Sequence, residues 1–128
     1  MLMLLFLIAV LTAFLTHLIH KHNYEKTQYF KQTQNSYWNV RKSKGLLGEY
    51  YTYTYLEHLP GYKRFVFNCY LPKQNEERTE VDIILIHESG VYVLESKNYS
   101  GWIFGTETNQ YWTQVLPTGK GHSKKHNF

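Results

Sequence analysis

Residues 79–98 read TEVDIILIHESGVYVLESKN, and this stretch predicts the centre of the fold. Two runs rich in β-branched and aromatic residues, VDIILIH and VYVLESK, flank a short turn that ends in Gly90, a pattern typical of a β-hairpin. Both runs contain charged side chains, Asp82 in the first and Glu95 and Lys97 in the second. Because burying an unpaired charge is costly, we expect these three groups to have partners or a function.

The geometry of a hairpin predicts where the charged side chains lie. Successive residues of a strand point to opposite faces, so Glu95 and Lys97 share a face. If the chain turns about Ser89, opposed residues have numbers that add to roughly 177 to 179. Asp82 then lies opposite one of positions 95–97, and in two of these three registers it points to the side of Glu95 and Lys97. The sequence therefore predicts two carboxylates and one ammonium group close together at one end of the hairpin.

Such a group has two possible uses. Two carboxylates on rigid strands can share Mg²⁺, which prefers oxygen ligands and keeps several of its waters. A metal ion activates water and stabilises charge on phosphorus oxygens, while a nearby lysine can orient or deprotonate the attacking water. In the alternative, Lys97 only neutralises Glu95 or Asp82 in a structural ion pair, and the spacing alone does not separate the two interpretations.

The segments around the hairpin predict one helix and further strands. Residues 44–59 have apolar and aromatic side chains at close to the helical period, and Pro60 ends this pattern. Aromatic and β-branched residues predict strands at 62–72, 101–105 and 111–116. A helix followed by an antiparallel strand series indicates an α+β or mixed α/β class. About 105 residues follow the first apolar stretch, enough for one small domain.

The amino-terminal stretch MLMLLFLIAVLTAFLTHLI has no formal charge and approaches the roughly 20 residues that a helix needs to cross a bilayer. The charged start and cleavage site of a signal peptide are not clear, and a buried core helix is the other alternative. The neighbouring cations all follow the stretch: Lys21, Lys26, Lys31, Arg41, Lys42 and Lys44. The positive-inside rule therefore predicts a single-pass cell-membrane anchor at 1–20, with the carboxyl-terminal part in the cytoplasm.

Residues 21–43 are polar with scattered aromatic side chains and have no clear period over their whole length. We interpret them as a juxtamembrane linker that either extends the anchor helix or forms a tether. Its aromatic side chains could lie at the headgroup level or pack on the domain, which the sequence does not separate; they include Tyr24, Tyr29, Tyr37 and Trp38.

The charge balance favours an anionic partner. The net charge is +4 and the isoelectric point is about 9.1, which suits nucleic acid or a lipid surface but also suits an ordinary solvated surface. The candidate contacts to nucleic acid are Lys63, Arg64, Lys120 and Lys124, with Lys73, Arg78 and Lys125 as further cations.

Cysteine and histidine offer little to a metal site. Cys69 is the single cysteine, which excludes an internal disulfide and a zinc site built from cysteines. His122 and His126 lie four residues apart near the end of the chain, but lysines intervene and no acidic ligand is close. A flexible basic tail is the favoured interpretation of this segment.

Several segments together resemble the nuclease-related domain family. They are KGLLGE at 44–49, TEVD at 79–82, ESKNYSGWIFG at 95–105 and YWTQ at 111–114. The resemblance spans about residues 44–116 and assigns 44–128 to this domain. It implies a restriction-endonuclease-like mixed sheet with a flanking helix, of the PD-(D/E)xK type.

The resemblance also implies roles for individual residues. Asp82 matches the acid at the start of the hairpin, Glu95 and Lys97 match the E-x-K pair, and Glu49 matches the glutamate of the first helix. Without the resemblance, a solvent-exposed position for Glu49 is equally compatible with the helix. Gln114 falls on a polar position of the W-x-Q segment. Asp82 and Glu95 would then be the ligands of Mg²⁺ or Mn²⁺.

The function that the resemblance implies is metal-dependent hydrolysis of phosphodiester bonds in DNA or RNA by a membrane-anchored protein. The alternative is a non-catalytic module that uses the same fold to bind nucleic acid or a protein. Family members often continue into a further helix past the last strand. This sequence is therefore either naturally short or a piece of a longer chain.

Overall fold

The computed structural model describes residues 1–73, 77–118 and 121–127, with the backbone alone described at 118 and at 121–127. The chain divides into two compact units, Met1–Lys97 and Asn98–Phe128. The first unit contains helices and a sheet, the second a sheet, and the predicted α+β class is confirmed.

The first unit begins with helices, whose bounds are α1 Leu2–Glu25, α2 Gln28–Thr33, α3 Tyr37–Lys42 and α4 Lys44–Glu57. Hydroxyl side chains cap the amino-terminal ends of α2, α3 and α4. Thr27, Ser36 and Ser43 each accept a hydrogen bond from a backbone N–H of the first turn. Helix α4 starts where the sequence predicts it and ends before Pro60.

Helix α1 is long and apolar enough to cross a membrane. It has 24 residues, and its most apolar window has a mean hydropathy of 2.6, with no part of that window buried in the structure. Its last turn is different, because Tyr24 is buried against the rest of the first unit.

The first sheet contains the predicted hairpin. Its strands are β1 Lys63–Pro72, β2 Arg78–His87 and β3 Gly90–Leu94, antiparallel in the order β1-β2-β3. His87 pairs with Gly90 and Ile83 with Leu94. Continued by one residue past Leu94, this register puts Asp82 across from Glu95, one of the arrangements in which the two carboxylates point to the same side.

One face of this sheet forms the core with the helices. The buried side chains are Tyr24, Tyr29, Val40, Tyr53, Phe65, Phe67, Ile83 and Leu85. Aromatic rings meet edge to face, with centroids 5.1 Å apart for Tyr29 and Phe67 and for Tyr53 and Phe65. Residues 21–43 therefore contribute to the core, and Tyr24 and Tyr29 pack on the domain.

The opposite face of the first sheet is largely exposed. Val93 is 67% and Val66 is 37% exposed, and the side chain of Ile84 is half-buried between their strands. Because side chains alternate along a strand, Asp82 shares this face with Ile84.

The second unit is an antiparallel sheet with the strands β4 Trp102–Phe104, β5 Trp112–Thr118 and β6 Gly121–Asn127. The prediction of a flexible basic tail was wrong for the backbone. Strand β6 pairs with β5 along its length, with Trp112 opposite Asn127 at one end and Thr118 opposite Gly121 at the other. The polar composition of GHSKKHN gives no strand signal, but the exposed edge of β5 supplies hydrogen-bond partners.

Candidate active site

Asp82 is tied to the segment that follows β3. Its Oδ2 accepts a hydrogen bond of 2.7 Å from the backbone N–H of Ser96. Strand β3 ends at Leu94, so this bond takes over from the strand ladder and holds the chain beside β2. Because Ser96 lies between Glu95 and Lys97, the bond brings all the hairpin's candidate residues to one end of the sheet.

The side chains at the end of β3 and after it alternate between half-buried and exposed. Leu94 and Ser96 are half-buried, while Glu95 and Lys97 are exposed. Ser96 points toward α4, where its Oγ lies 3.4 Å from Oγ1 of Thr52. Glu95 and Lys97 thus project away from the helix layer, on the face of the sheet that also holds Asp82.

Lys97 forms an ion pair with Oε1 of Glu95. The side chains are 43% and 53% exposed, respectively, so water screens the pair and it stabilises the fold only weakly. This contact is the one that the structural alternative predicts. Its exposure leaves both groups accessible to a substrate.

Glu49 reaches the same region from α4. Tyr29 on α2 donates a hydrogen bond of 3.1 Å to Oε2 of Glu49. Burial is the main cause that raises the pKa of Glu49, and the negative charges of Asp82, Glu80 and Glu95 raise this pKa further, while the bond from Tyr29 lowers it. Glu49 is therefore partly buried and lies in the electric field of the hairpin's carboxylates.

The sequence did not indicate a role for two residues of this region, Glu80 and Tyr29. Glu80 lies two residues before Asp82 on β2, so the strand period could have found it on the same face. The hydroxyl of exposed Tyr70 bonds to Glu80 and has a raised pKa because of this bond. Tyr29 gave no signal, because its contact with Glu49 joins segments 20 residues apart.

The backbone of β1 is distorted beside Asp82. Asn68 falls between the pairs Phe67 with Ile83 and Cys69 with Val81, and thus across from Asp82. Its φ of 51° is in the left-handed region, which asparagine tolerates better than most residues. The ladder is interrupted at this point of the sheet, which lies next to the candidate site.

The candidate nucleic-acid contacts on β1 lie elsewhere. Lys63 pairs with His87 at the turn end of the hairpin, and its Nζ donates to the carbonyl of Leu59 at 2.6 Å. Arg64 donates from Nε to the hydroxyl of Tyr62 at 3.0 Å and lies about 13 Å along the strand from the position across from Asp82. Lys120 and the side chain of Lys124 lie outside the described residues.

Gln114 belongs to the second unit. It is buried, with 8% of its surface exposed, and its Nε2 donates a hydrogen bond of 2.8 Å to the carbonyl of Ser100. Within this unit it fixes the segment before β4. Gly101 adjoins that segment with a φ of 82°, and an added Cβ there would lie 2.2 Å from the carbonyl oxygen of Val115.

The carboxylate oxygens of the hairpin are the type of donor that hard divalent cations prefer. Among the described residues, no three histidine, cysteine, aspartate or glutamate side chains form a ready-made metal group. Mg²⁺, however, is commonly bound by one or two carboxylates, with waters and substrate phosphate completing its shell. Asp82 and Glu95 are carboxylates of this kind, and after burial their negative charges contribute to the raised pKa of Glu49.

Comparisons with known proteins indicate the family of most of the chain. A family model described as Nuclease-related domain matches residues 44–128. An uncharacterized protein of Bacillus anthracis is 38% identical over 79 residues, which make up 61% of this chain and 37% of that relative. The match thus spans little more than a third of the relative's length. No solved structure matches the chain.

Proposed function

Because this chain belongs to the nuclease-related domain family, we propose that it is a metal-dependent nuclease held at the membrane by α1. The observation that supports catalysis best is the grouping of Asp82, Glu95 and Lys97 at one end of the hairpin, through the bond from the Ser96 N–H to Asp82 and the ion pair between Glu95 and Lys97. Glu49 on α4 lies within the electric field of the two carboxylates. The substrate class is nucleic acid, whose phosphodiester bonds the site would hydrolyse.

Asp82 and Glu95 would hold the Mg²⁺ or Mn²⁺ ion, and Glu49 would bind one of its waters. When bound, the ion would lower the pKa of a water molecule and stabilise negative charge on the phosphorus oxygens. The N–H of Ser96 keeps the Asp82 carboxylate oriented, and Tyr29 does the same for Glu49.

Lys97 has the remaining role in this mechanism. Its ammonium group is held at the site by Glu95 and projects into solvent, where it can orient the attacking water or stabilise the negative charge of the substrate. The pair with Glu95 keeps the ammonium near the carboxylates without burying it, so it can exchange partners when a phosphate arrives.

Membrane anchoring rests on α1 and on the charges that follow it. The helix has the length and hydropathy of a membrane span, and the cations Lys21 to Lys44 all follow its apolar part. By the positive-inside rule the remainder of the chain lies in the cytoplasm. The protein would then cut nucleic acid that reaches the cytoplasmic side of the cell membrane.

A second candidate function is a non-catalytic binding module. The ion pair between Glu95 and Lys97 supports it, because such a pair can neutralise both groups without any metal. In this case the fold would bind nucleic acid or a protein, and its site residues would serve the structure alone.

Cleavage and metal binding should be measured separately on the purified full chain in detergent. We expect labelled DNA or RNA to be cut with Mg²⁺ or Mn²⁺ and spared with EDTA. We expect Asp82→Asn and Glu95→Gln to lose cleavage and, by calorimetry, to bind Mn²⁺ about tenfold to a hundredfold more weakly. Glu107→Gln is the matched control, because this exposed carboxylate lies in the second unit. Nucleic-acid binding without Mn²⁺ binding or cleavage would favour the non-catalytic module.

A further inference from the structure

Helix α3 presents a tryptophan and two cations beside the apolar part of α1. The ring of Trp38 stacks on His17 of α1, with centroids 4.8 Å apart and planes 27° apart. Trp38 remains 53% exposed, and Arg41 and Lys42 are also exposed. We call Trp38, Arg41 and Lys42 the α3 collar.

The three side chains share one side of their helix. They occupy positions i, i+3 and i+4, which are neighbours on a helical surface. Val40, on a different side, is 2% exposed and belongs to the core of the first unit. The fold therefore turns an aromatic ring and two positive charges outward together, although burying the ring would have removed more apolar surface from water.

The contact with His17 fixes the level of the collar along α1. A helix rises 1.5 Å per residue, so the uncharged residues 1–20 span about 30 Å, the thickness of the hydrocarbon core of a bilayer. The boundary with the headgroups then falls near His20, about one helical turn past His17. Trp38 would lie close to this boundary, where tryptophan is enriched in membrane proteins.

From this placement we propose that the α3 collar binds the phosphate groups of anionic lipids, with the ring of Trp38 at the headgroup boundary. The proposal rests on the membrane anchoring proposed above for α1. Arg41 and Lys42 supply charges complementary to an anionic leaflet, and their long side chains can reach outward while the ring stays at the apolar level.

The collar would also determine how the candidate active site faces the membrane. Ser43 ends α3 and starts α4, where it accepts a hydrogen bond from the N–H of Leu46 at 3.3 Å. One residue thus separates the lipid-binding helix from the helix that carries Glu49. A lipid-bound α3 would hold α4 at a fixed height above the bilayer, instead of leaving the first unit to rotate about a single span.

Depth-dependent fluorescence quenching tests the proposal on the full chain in nanodiscs. With Trp102→Phe and Trp112→Phe, Trp38 is the remaining tryptophan of the three. We expect brominated lipids to quench it most when the bromines lie near the glycerol, and we expect its emission to shift to the blue as the phosphatidylglycerol fraction rises. The double variant Arg41→Gln and Lys42→Gln should need at least three times as much phosphatidylglycerol to reach half of this blue shift.

The matched control replaces Lys63 and Arg64 by glutamine, because these two cations lie at the turn end of the hairpin. This double variant should leave the dependence on phosphatidylglycerol unchanged. An equal increase of the required phosphatidylglycerol fraction in both double variants would indicate a general charge effect and overturn the proposal.

A separate probe distinguishes failure of the collar from failure of the anchor. Thr12→Trp, combined with Trp38→Phe in the same background, should be quenched by bromines deep in the acyl chains. If this probe is quenched and Trp38 is not, the collar proposal fails and the anchor stands. If neither is quenched, both fail. A shift of Trp38 emission caused by an oligonucleotide but not by anionic lipid would assign the surface to nucleic acid and overturn the proposal.

Discussion

The hydroxyl of Tyr29 donates a hydrogen bond of 3.1 Å to Oε2 of Glu49. Tyr29 lies on α2, before residue 44 where the family match begins, whereas Glu49 lies within the match. The side chain of Tyr29 is fully buried, and burial followed by the charge of Glu49 raises the pKa of its phenol, which keeps it a neutral donor. The segment that follows α1 thus positions a candidate catalytic carboxylate.

Removing this donor should affect the site more than the fold. Tyr29→Phe deletes the bond that lowers the pKa of Glu49, so we expect this pKa to rise and nuclease activity to fall about tenfold at pH 7. The free energy of unfolding should fall by about 1 kcal/mol. Carbon NMR of labelled glutamate measures the pKa, and a denaturant titration measures the stability.

Tyr53→Phe is the matched control for that change. Tyr53 is also fully buried, and its hydroxyl donates to Oε1 of Glu57 at 2.5 Å, on the same helix as Glu49. This variant should lose comparable stability while the titration of Glu49 stays unchanged. An equal effect of both variants on Glu49 would show that Tyr29 acts through the core in general.

The raised pKa of Glu49 predicts how stability depends on pH. The folded state binds the Glu49 proton more tightly than the unfolded state does, so its contribution is fully present below the unfolded pKa and is lost as the pH rises through the folded pKa. Glu49→Gln should therefore have a higher Tm than the parent at pH 7 in EDTA, and the difference should vanish below the ordinary pKa of glutamate. A lower Tm for the variant at pH 7 would contradict this assignment.

A divalent cation should offset part of the charge repulsion that raises the pKa of Glu49. We expect Mn²⁺ to lower the pKa of Glu49, because it offsets the charges of Asp82 and Glu95. Asp82→Asn should weaken Mn²⁺ binding about tenfold to a hundredfold while its amide oxygen still accepts the bond from Ser96. Calorimetry measures the affinity, and equal Mn²⁺ affinity in the variant and the parent would remove Asp82 from the metal site.

Lys97 separates the catalytic interpretation from the structural one. Lys97→Met should reduce cleavage about a hundredfold or more, because the site loses the ammonium group that would act on water. The Tm should change little, since the pair with Glu95 is exposed to solvent. A large drop in Tm together with normal cleavage would support the structural ion pair instead.

Local signals in the sequence predicted the hairpin and limited its register to three alternatives. The two apolar runs and the short turn before Gly90 leave few registers, and the folded sheet selects the one that pairs Ile83 with Leu94. Continued by one residue, this register puts Asp82 across from Glu95. Helix α4 follows in the same way from the Ser43 cap and the helical period of its apolar side chains. These features depend on residues close together in the chain.

Packing between distant segments decided the rest. Residues 21–43 look like a linker because their aromatic side chains lack a sustained period, yet Tyr29 reaches both Phe67 and Glu49. Strand β6 likewise forms where a polar segment meets the open edge of β5. Local composition does not encode such contacts, because burial of a ring and pairing of a strand depend on surfaces that other segments supply only after folding.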